Sequence, residues 1–206
     1  AGFGGAPDEV ARLHAMGLHE AVDFLVDIRS LPAADFPLAM EPMQPAPQAK
    51  PNAKTLASLT PEQRNVLIQE QDKQKTLQRK DERQQFNDLR QWWIKRMVET
   101  PRPLEEKLTL FWHGHFATGY QTVKDSYAMY RQNQLLRQHA QNFGQLLQGI
   151  VRDAAMLRYL DNDKNVKSHP NENLGREILE LFSMGEGNYS EQDIKGLFDD
   201  LDVNSA

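Results

Sequence analysis

Two histidines lie close together in an aromatic segment, and their spacing decides whether they can share a ligand. The segment reads Phe111-Trp112-His113-Gly114-His115-Phe116. In an unbroken helix His113 and His115 point about 200° apart, whereas helical residues that bind one metal ion are three or four positions apart. The apolar stripe of this segment places His115 on the buried face and His113 on the opposite face. His115 is therefore the candidate metal ligand or acid–base group, and a hydrogen-bonded core histidine is the alternative.

A second polar cluster lies in a segment that is predicted to form a helix from Asn171 to Met184. Within it Glu172, Arg176 and Glu180 recur every four residues, so they share one helical face, and Glu177 lies beside them. Carboxylates combined with an imidazole suit a divalent metal ion or general acid–base catalysis.

We therefore predict that His115, Glu172 and Glu180 hold a divalent metal ion and that Arg176 and Glu177 act in catalysis. In this interpretation Arg176 orients a carboxylate or an anionic substrate. The alternative is a solvated helix face on which the arginine pairs with its glutamates.

The loop before this cluster offers a second, weaker metal site. Asp161-Asn162-Asp163-Lys164-Asn165, followed by Glu172, matches ligand positions of a calcium-binding EF-hand loop. Val166 stands where that loop needs glycine for its sharp turn. Calcium bound between Asp161 and Glu172 is thus the alternative cofactor, and a connector rich in Asp and Asn is the simplest interpretation.

Composition excludes several classes of site. The 206-residue chain has no cysteine, which excludes disulfides, thiolate zinc sites and thiol nucleophiles. Its net charge of -5 argues against a nucleic-acid partner, since a polyanion requires a basic face. No apolar run reaches the roughly 18–20 residues that cross a bilayer, and the N-terminus lacks the features of a signal peptide.

The pattern of breakers and apolar residues predicts an all-α fold, a bundle-like domain of several helices. We expect a helical pair over residues 1–30, a proline-rich linker over residues 31–59 and a helical core over residues 60–206. Within the core, helical spacing predicts single helices over residues 122–139 and 143–157. No segment alternates with the period of a strand.

One long helix is expected over residues 60–100. Thr60, Pro61 and Gln63 form the start of a capped helix, and no proline or glycine follows until Pro101. The middle of this helix, residues 69–85, is almost wholly polar, so we expect only the part from residue 86 onward to pack on the core. The exposed part is the candidate surface for a protein partner.

Several segments together resemble a bacterial family, the domain of unknown function family 1800. They are Ala1-Gly2-Phe3-Gly4, Trp93-Ile94-Lys95-Arg96-Met97, Thr100-Pro101-Arg102-Pro103-Leu104, Leu110-Phe111-Trp112-His113-Gly114-His115-Phe116-Ala117-Thr118, Pro170-Asn171-Glu172-Asn173 and Arg176-Glu177-Ile178-Leu179-Glu180-Leu181-Phe182. The resemblance implies an exported bacterial protein, periplasmic or extracellular, of which this chain is the N-terminal half or a fragment. It implies no reaction, because the activity of the family is not established.

Two functional hypotheses follow. The first is a metal-dependent, hydrolase-like enzyme of the bacterial envelope that uses His115 and the carboxylate cluster. The second is a non-catalytic helical scaffold or binding module in an envelope protein complex, with a partner bound along the helix over residues 60–100.

Overall fold

The computed structural model describes residues 2–33, 35–42, 59–162 and 173–200. Regular secondary structure in these ranges is helical throughout, without a strand. The all-α prediction is therefore confirmed. No helix in the described ranges is both long enough and apolar enough to cross a membrane.

The helices lie in the following order along the chain. They are α1 (Pro7–Met16), α2 (Leu18–Val26), a short 3-10 helix (Ile28–Ser30), α3 (Pro61–Glu99), α4 (Pro103–Phe116), α5 (Tyr120–Val123), α6 (Ser126–Gln138), α7 (Phe143–Ile150), α8 (Ala154–Tyr159), α9 (Asn173–Glu177), which continues as a π-helix (Ile178–Ser183), and α10 (Glu191–Asp200).

Helix α3 begins as its sequence predicts. The Thr60 side chain accepts a hydrogen bond from the Gln63 N–H, and the Gln63 side chain accepts one from the Thr60 N–H, which completes the capping box. We expected α3 to pack on the core from residue 86 onward, but contact begins slightly earlier, at Glu82. The Glu82 carboxylate accepts a hydrogen bond from the Ser126 N–H at 2.5 Å. Most apolar side chains of α3 before this point are exposed, namely Val66, Ile68 and Leu77.

Aspartate side chains divide two segments that helical spacing alone predicts to be continuous. Asp125 caps α6 by accepting a hydrogen bond from the Ala128 N–H at 2.8 Å, and Asp153 caps α8 in the same way through the Met156 N–H at 2.9 Å. An aspartate that satisfies the first free N–H groups of a helix stabilises a new start at that position. The predicted helices over 122–139 and 143–157 are therefore each two helices.

The described part of the chain has two apolar clusters. One joins α4, α6, α7, α8 and the helix from Asn173 to Ser183, and its buried side chains include Phe116, Leu136, Leu146, Ile150, Met156, Leu174, Ile178 and Phe182. The other packs the C-terminal part of α3 on α5 and α6, and its buried side chains include Met40, Leu89, Trp92, Val123, Ala128, Met129 and Ala155. The predicted functional helix, α4, packs on both α3 and α6.

Part of the predicted linker packs against α3. The Trp92 indole N–H donates a hydrogen bond to the Phe36 carbonyl at 2.8 Å, and Met40 is buried in the same cluster. Residues 35–42 are thus more than a spacer, because they cover the apolar face of α3. Residues 43–58 of the predicted linker lie outside the described part of the chain.

Candidate ligand-binding pocket

His115 faces the core, as its helical phase predicts. Its Nε2 atom lies 3.2 Å from the Phe182 carbonyl oxygen, and its ring packs against those of Trp112 and Phe116. A nitrogen that faces a carbonyl oxygen must carry the proton, so Nε2 is the donor in this contact. The geometry is that of a hydrogen-bonded core histidine.

The π-helix from Ile178 to Ser183 positions the Phe182 carbonyl that His115 contacts. Within this wider turn the Ser183 hydroxyl donates a hydrogen bond to the Ile178 carbonyl at 2.6 Å. Single π-helical turns often occur at functional sites, and neither this turn nor its contact with His115 follows from apolar spacing.

The described residues of the predicted metal site have other partners. Glu180 accepts a hydrogen bond from the Tyr189 hydroxyl at 2.6 Å, and Arg176 forms an exposed ion pair with Glu191 at 3.2 Å. Glu177 lines a separate cavity of about 380 Å³ together with Phe116 and Leu181.

Within the described ranges, no group of three or more His, Asp and Glu side chains could hold a metal ion. Glu172 lies outside these ranges, as does most of the loop from Asp161 to Glu172. The metal site at His115, Glu172 and Glu180 stays a prediction, and so does the calcium site.

His113 occupies a position that the helical wheel did not predict. We expected it to face away from the core, and that prediction was wrong, because α3 covers this face of α4. The ring centroids of His113 and Trp93 are 5.3 Å apart. Burial lowers the pKa of His113 below its ordinary value of 6.5, against an opposing effect of its own backbone hydrogen bond. The imidazole is therefore uncharged at neutral pH.

His113 lines a pocket between α3 and α4, which we call the α3–α4 pocket. Its volume is about 350 Å³, and its walls are formed by Phe86, Leu89, Arg90, Trp93, Ile94, His113, Thr118, Gly119, Tyr120, Met129 and Asn133. Aromatic and aliphatic side chains predominate in this lining, together with a few polar groups. This is the usual composition of a small-molecule site.

A buried ion cluster lies beside the pocket, centred on Glu106. This carboxylate is fully buried and accepts hydrogen bonds from Arg137 at 2.6 and 3.0 Å, from Arg96 at 2.5 Å and from the Trp93 indole at 3.0 Å. Burial by itself raises the pKa of Glu106, but the hydrogen bonds and charges of the two arginines outweigh it and hold the pKa below 4.5. Glu106 is therefore ionised at neutral pH and fixes Trp93 in the pocket wall.

The ion cluster also orients Asn133, which was not among the predicted functional residues. The Asn133 Oδ1 atom accepts a hydrogen bond from Arg137 at 2.7 Å. Its Nδ2 atom is buried and has no hydrogen-bond partner in the described part of the structure. Sequence spacing puts Asn133 and Arg137 on one face of α6, but nothing in the sequence indicates that this face is buried.

A second buried network adjoins the pocket at Thr118. The Gln132 side-chain amide donates hydrogen bonds to the Thr118 hydroxyl at 3.0 Å and to the Asp153 carboxylate at 2.8 Å. Burial raises the pKa of Asp153 to about 6, although its hydrogen bonds to the Met156 N–H and to Gln132 act in the opposite direction. This network joins α6 to the start of α8.

The fold and the pocket together define an all-α protein with an apolar pocket beside a buried ion cluster. The chain belongs to the family described as protein of unknown function DUF1800, whose family model matches residues 1–197. The resemblance seen in the sequence motifs is thereby confirmed. No curated protein and no solved structure is detectably similar to the chain.

Proposed function

We propose that this chain is a helical binding module whose ligand enters the α3–α4 pocket. The observation that carries the proposal is a pocket of about 350 Å³ with predominantly apolar walls and an uncharged imidazole, that of His113. Its volume lies within the range of about 300–1,000 Å³ that is typical of small-molecule sites.

The composition of the pocket favours binding over catalysis. A histidine that acts as a general base is usually oriented by a third group, most often a carboxylate. No acidic side chain is present among the described residues that line the pocket with His113. The buried carboxylate of Glu106 is saturated by Arg96, Arg137 and Trp93, and that of Asp153 accepts hydrogen bonds from Gln132 and the Met156 N–H.

An uncharged fluorescent probe, N-phenylnaphthylamine, tests the proposal, because its emission rises when it enters an apolar site. We expect wild-type protein to bind the probe and the Ile94→Lys variant to bind it about tenfold more weakly, because the substitution removes apolar contact surface from the pocket wall. Ile94 lines the pocket and is 58% exposed, so the lysine can reach solvent without disturbing the core.

Val98→Lys is the matched control, since Val98 lies one helical turn further along α3, is 75% exposed and does not line the pocket. Its affinity for the probe should equal that of wild type. Absence of probe binding by wild-type protein, or equal weakening in both variants, would contradict the proposal.

A metal-dependent hydrolase built on His115, Glu172 and Glu180, with Arg176 and Glu177 in catalysis, is the second proposed function. It is supported by the π-helix that adjoins His115, because such turns often accompany functional sites. Zinc, manganese or calcium should then copurify at one equivalent and be lost in the His115→Ala variant. Folded protein that contains no bound metal after dialysis against each ion would exclude this function.

A protein partner along the N-terminal half of α3 is a further part of the proposal. It is supported by the exposed apolar side chains Val66, Ile68 and Leu77, which precede the part of α3 that packs on the core. Substituting all three by glutamate should release a copurifying partner without changing thermal stability, and retention of the partner would count against this surface.

Export to the periplasm or the cell exterior rests on the family resemblance, and fractionation of the native host would test it.

A further inference from the structure

The orientation of the Asn133 amide is determined by its neighbour. A guanidinium group can only donate hydrogen bonds, so the atom of Asn133 that lies 2.7 Å from Arg137 must be the oxygen. The Nδ2 atom therefore faces away from Arg137. This excludes the reversed assignment of oxygen and nitrogen that an asparagine side chain otherwise permits.

Arg137 in turn has little freedom to move. Its Nε and Nη2 atoms hold the two oxygens of Glu106 in a bidentate contact at 2.6 and 3.0 Å, and its Nη1 atom donates to Gln134 at 3.1 Å. Bidentate arginine–carboxylate pairs combine strength with a defined geometry. The free N–H groups of Asn133 are thus held in place before any ligand arrives.

The Asn133 side chain lies in the pocket wall and has a buried hydrogen-bond donor without an acceptor in the described ranges. Asn133 is 3% exposed and lines the α3–α4 pocket, yet its Nδ2 atom has no partner among the described residues. Buried polar groups are paired in the great majority of cases, and an unpaired donor is costly. A ligand that brings an acceptor to this nitrogen removes that cost.

We infer that the α3–α4 pocket binds an uncharged molecule with an apolar ring and a carbonyl oxygen, and that this oxygen accepts a hydrogen bond from Asn133 Nδ2. The inference rests on the proposed binding function and specifies its ligand. The ring packs among Phe86, Trp93 and Met129, which line the same pocket. Ketones, esters and amides that carry an aromatic or alicyclic ring belong to this class.

The charges around the pocket favour a neutral ligand over a carboxylate. The two arginines of the ion cluster, Arg137 and Arg96, are already paired with Glu106, and Arg96 also contacts Glu105. A carboxylate placed at Asn133 would lose its hydration without gaining a free cation, which is unfavourable in an apolar site. Arg90 is the one arginine in the described lining, and it is itself exposed.

Three naphthalene probes with the same ring position test this inference by isothermal titration. They are acetylnaphthalene, which has a carbonyl group, ethylnaphthalene, which lacks one, and naphthoate, which is charged. The uncharged ketone should bind wild-type protein about tenfold more tightly than the hydrocarbon, because it satisfies the buried donor. Naphthoate should bind no better than the hydrocarbon.

The Asn133→Asp variant removes the donor and keeps an oxygen for Arg137, so the ion cluster retains its partners. At pH 8 this variant should bind the ketone no more tightly than the hydrocarbon, because the donor that favours the ketone is gone. Val98→Lys, at a position that does not line the pocket, is the control, and it should preserve the tenfold preference of wild type for the ketone.

The outcomes separate this inference from the proposed function. Equal binding of ketone and hydrocarbon by wild-type protein, or an unchanged preference in Asn133→Asp, would overturn the inference while leaving an apolar binding pocket. Tightest binding of naphthoate would also overturn it. Failure of all three probes to bind would overturn the proposed function as well.

Discussion

Substitution of Glu106 by glutamine should lower the free energy of unfolding by about 3–5 kcal/mol. Glutamine has nearly the same shape as glutamate, so the loss of the charge is the main change. Two arginines, Arg96 and Arg137, would then remain in the interior without their shared counterion, with side chains only 13% and 7% exposed. Urea denaturation at neutral pH measures this loss.

The cost is large because the interior gives these arginines no substitute for water. Breaking a buried ion pair by removal of one partner leaves an uncompensated charge, which costs more than the intact pair contributes. Glutamine also keeps only one of the two oxygens that accept hydrogen bonds from Trp93, Arg96 and Arg137, so some of these donors lose their acceptor. The wall of the α3–α4 pocket should loosen together with the core.

Glu105→Gln is the matched control at the adjacent position. Glu105 is 14% exposed and approaches Arg96 at 3.4 Å and Arg102 at 3.6 Å, so its contacts are longer than those of Glu106 and partly hydrated. We expect a loss of about 1 kcal/mol or less for this variant. Equal losses for the two variants would show that the buried position of Glu106 is unimportant.

The Glu106 contribution should also depend on pH in a defined direction. Its pKa lies below 4.5 in the folded chain, so its stabilising effect is present above that value and is lost as the pH falls through the folded pKa. The Glu106→Gln variant has no such group. The stability difference between wild type and this variant should therefore shrink in acid.

Asp153 should produce a pH dependence of the opposite sign. Burial raises its pKa from 3.8 to about 6, so the folded chain binds the proton more tightly than the unfolded chain. Its stabilising contribution is fully present below 3.8 and is lost as the pH rises through about 6. The shift of about two pKa units corresponds to a loss of about 3 kcal/mol across this window.

Asp153→Asn isolates this effect because asparagine does not titrate. Relative to the variant, wild-type protein should lose about 3 kcal/mol of stability between acid and neutral pH, as measured by urea denaturation in matched buffers. A constant difference between the two proteins at every pH would contradict the prediction.

Asp153→Ala separates the charge of Asp153 from its role as a helix cap. Alanine removes the oxygen that accepts the hydrogen bond from the Met156 N–H at 2.9 Å, and loss of an N-cap costs about 0.5–2 kcal/mol. Both variants should therefore show the same change in pH dependence, but the alanine variant should be less stable throughout. An alanine variant as stable as the asparagine variant would show that the cap contributes nothing.

Features that depend on neighbouring residues in the chain were predictable from the sequence. The all-α class, the family and the start of α3 at the Thr60–Gln63 capping box are confirmed. Helical phase also predicts that His115 points inward, and its part-buried ring lies against Phe116 and Phe182, with Nε2 3.2 Å from the Phe182 carbonyl oxygen. The capping box and the helical phase each depend on residues within a few turns of one helix.

Contacts between distant segments were decided only by the tertiary structure. The sequence indicated that α3 packs on the core from residue 86 onward, but not that it covers the face of α4 that carries His113. It placed Asn133 on α6 without showing that Arg137 and Glu106 would be buried beside it.

The physical reason is that helical phase determines which residues share a face, whereas the packing of whole helices determines which faces meet. His115 was correctly placed because its burial depends on the apolar stripe of its own helix, α4. His113 was misplaced because its surroundings depend on α3, which precedes it in the chain and packs on the other side. The pocket belongs to this second kind of feature, since its walls come from α3, α4 and α6 together.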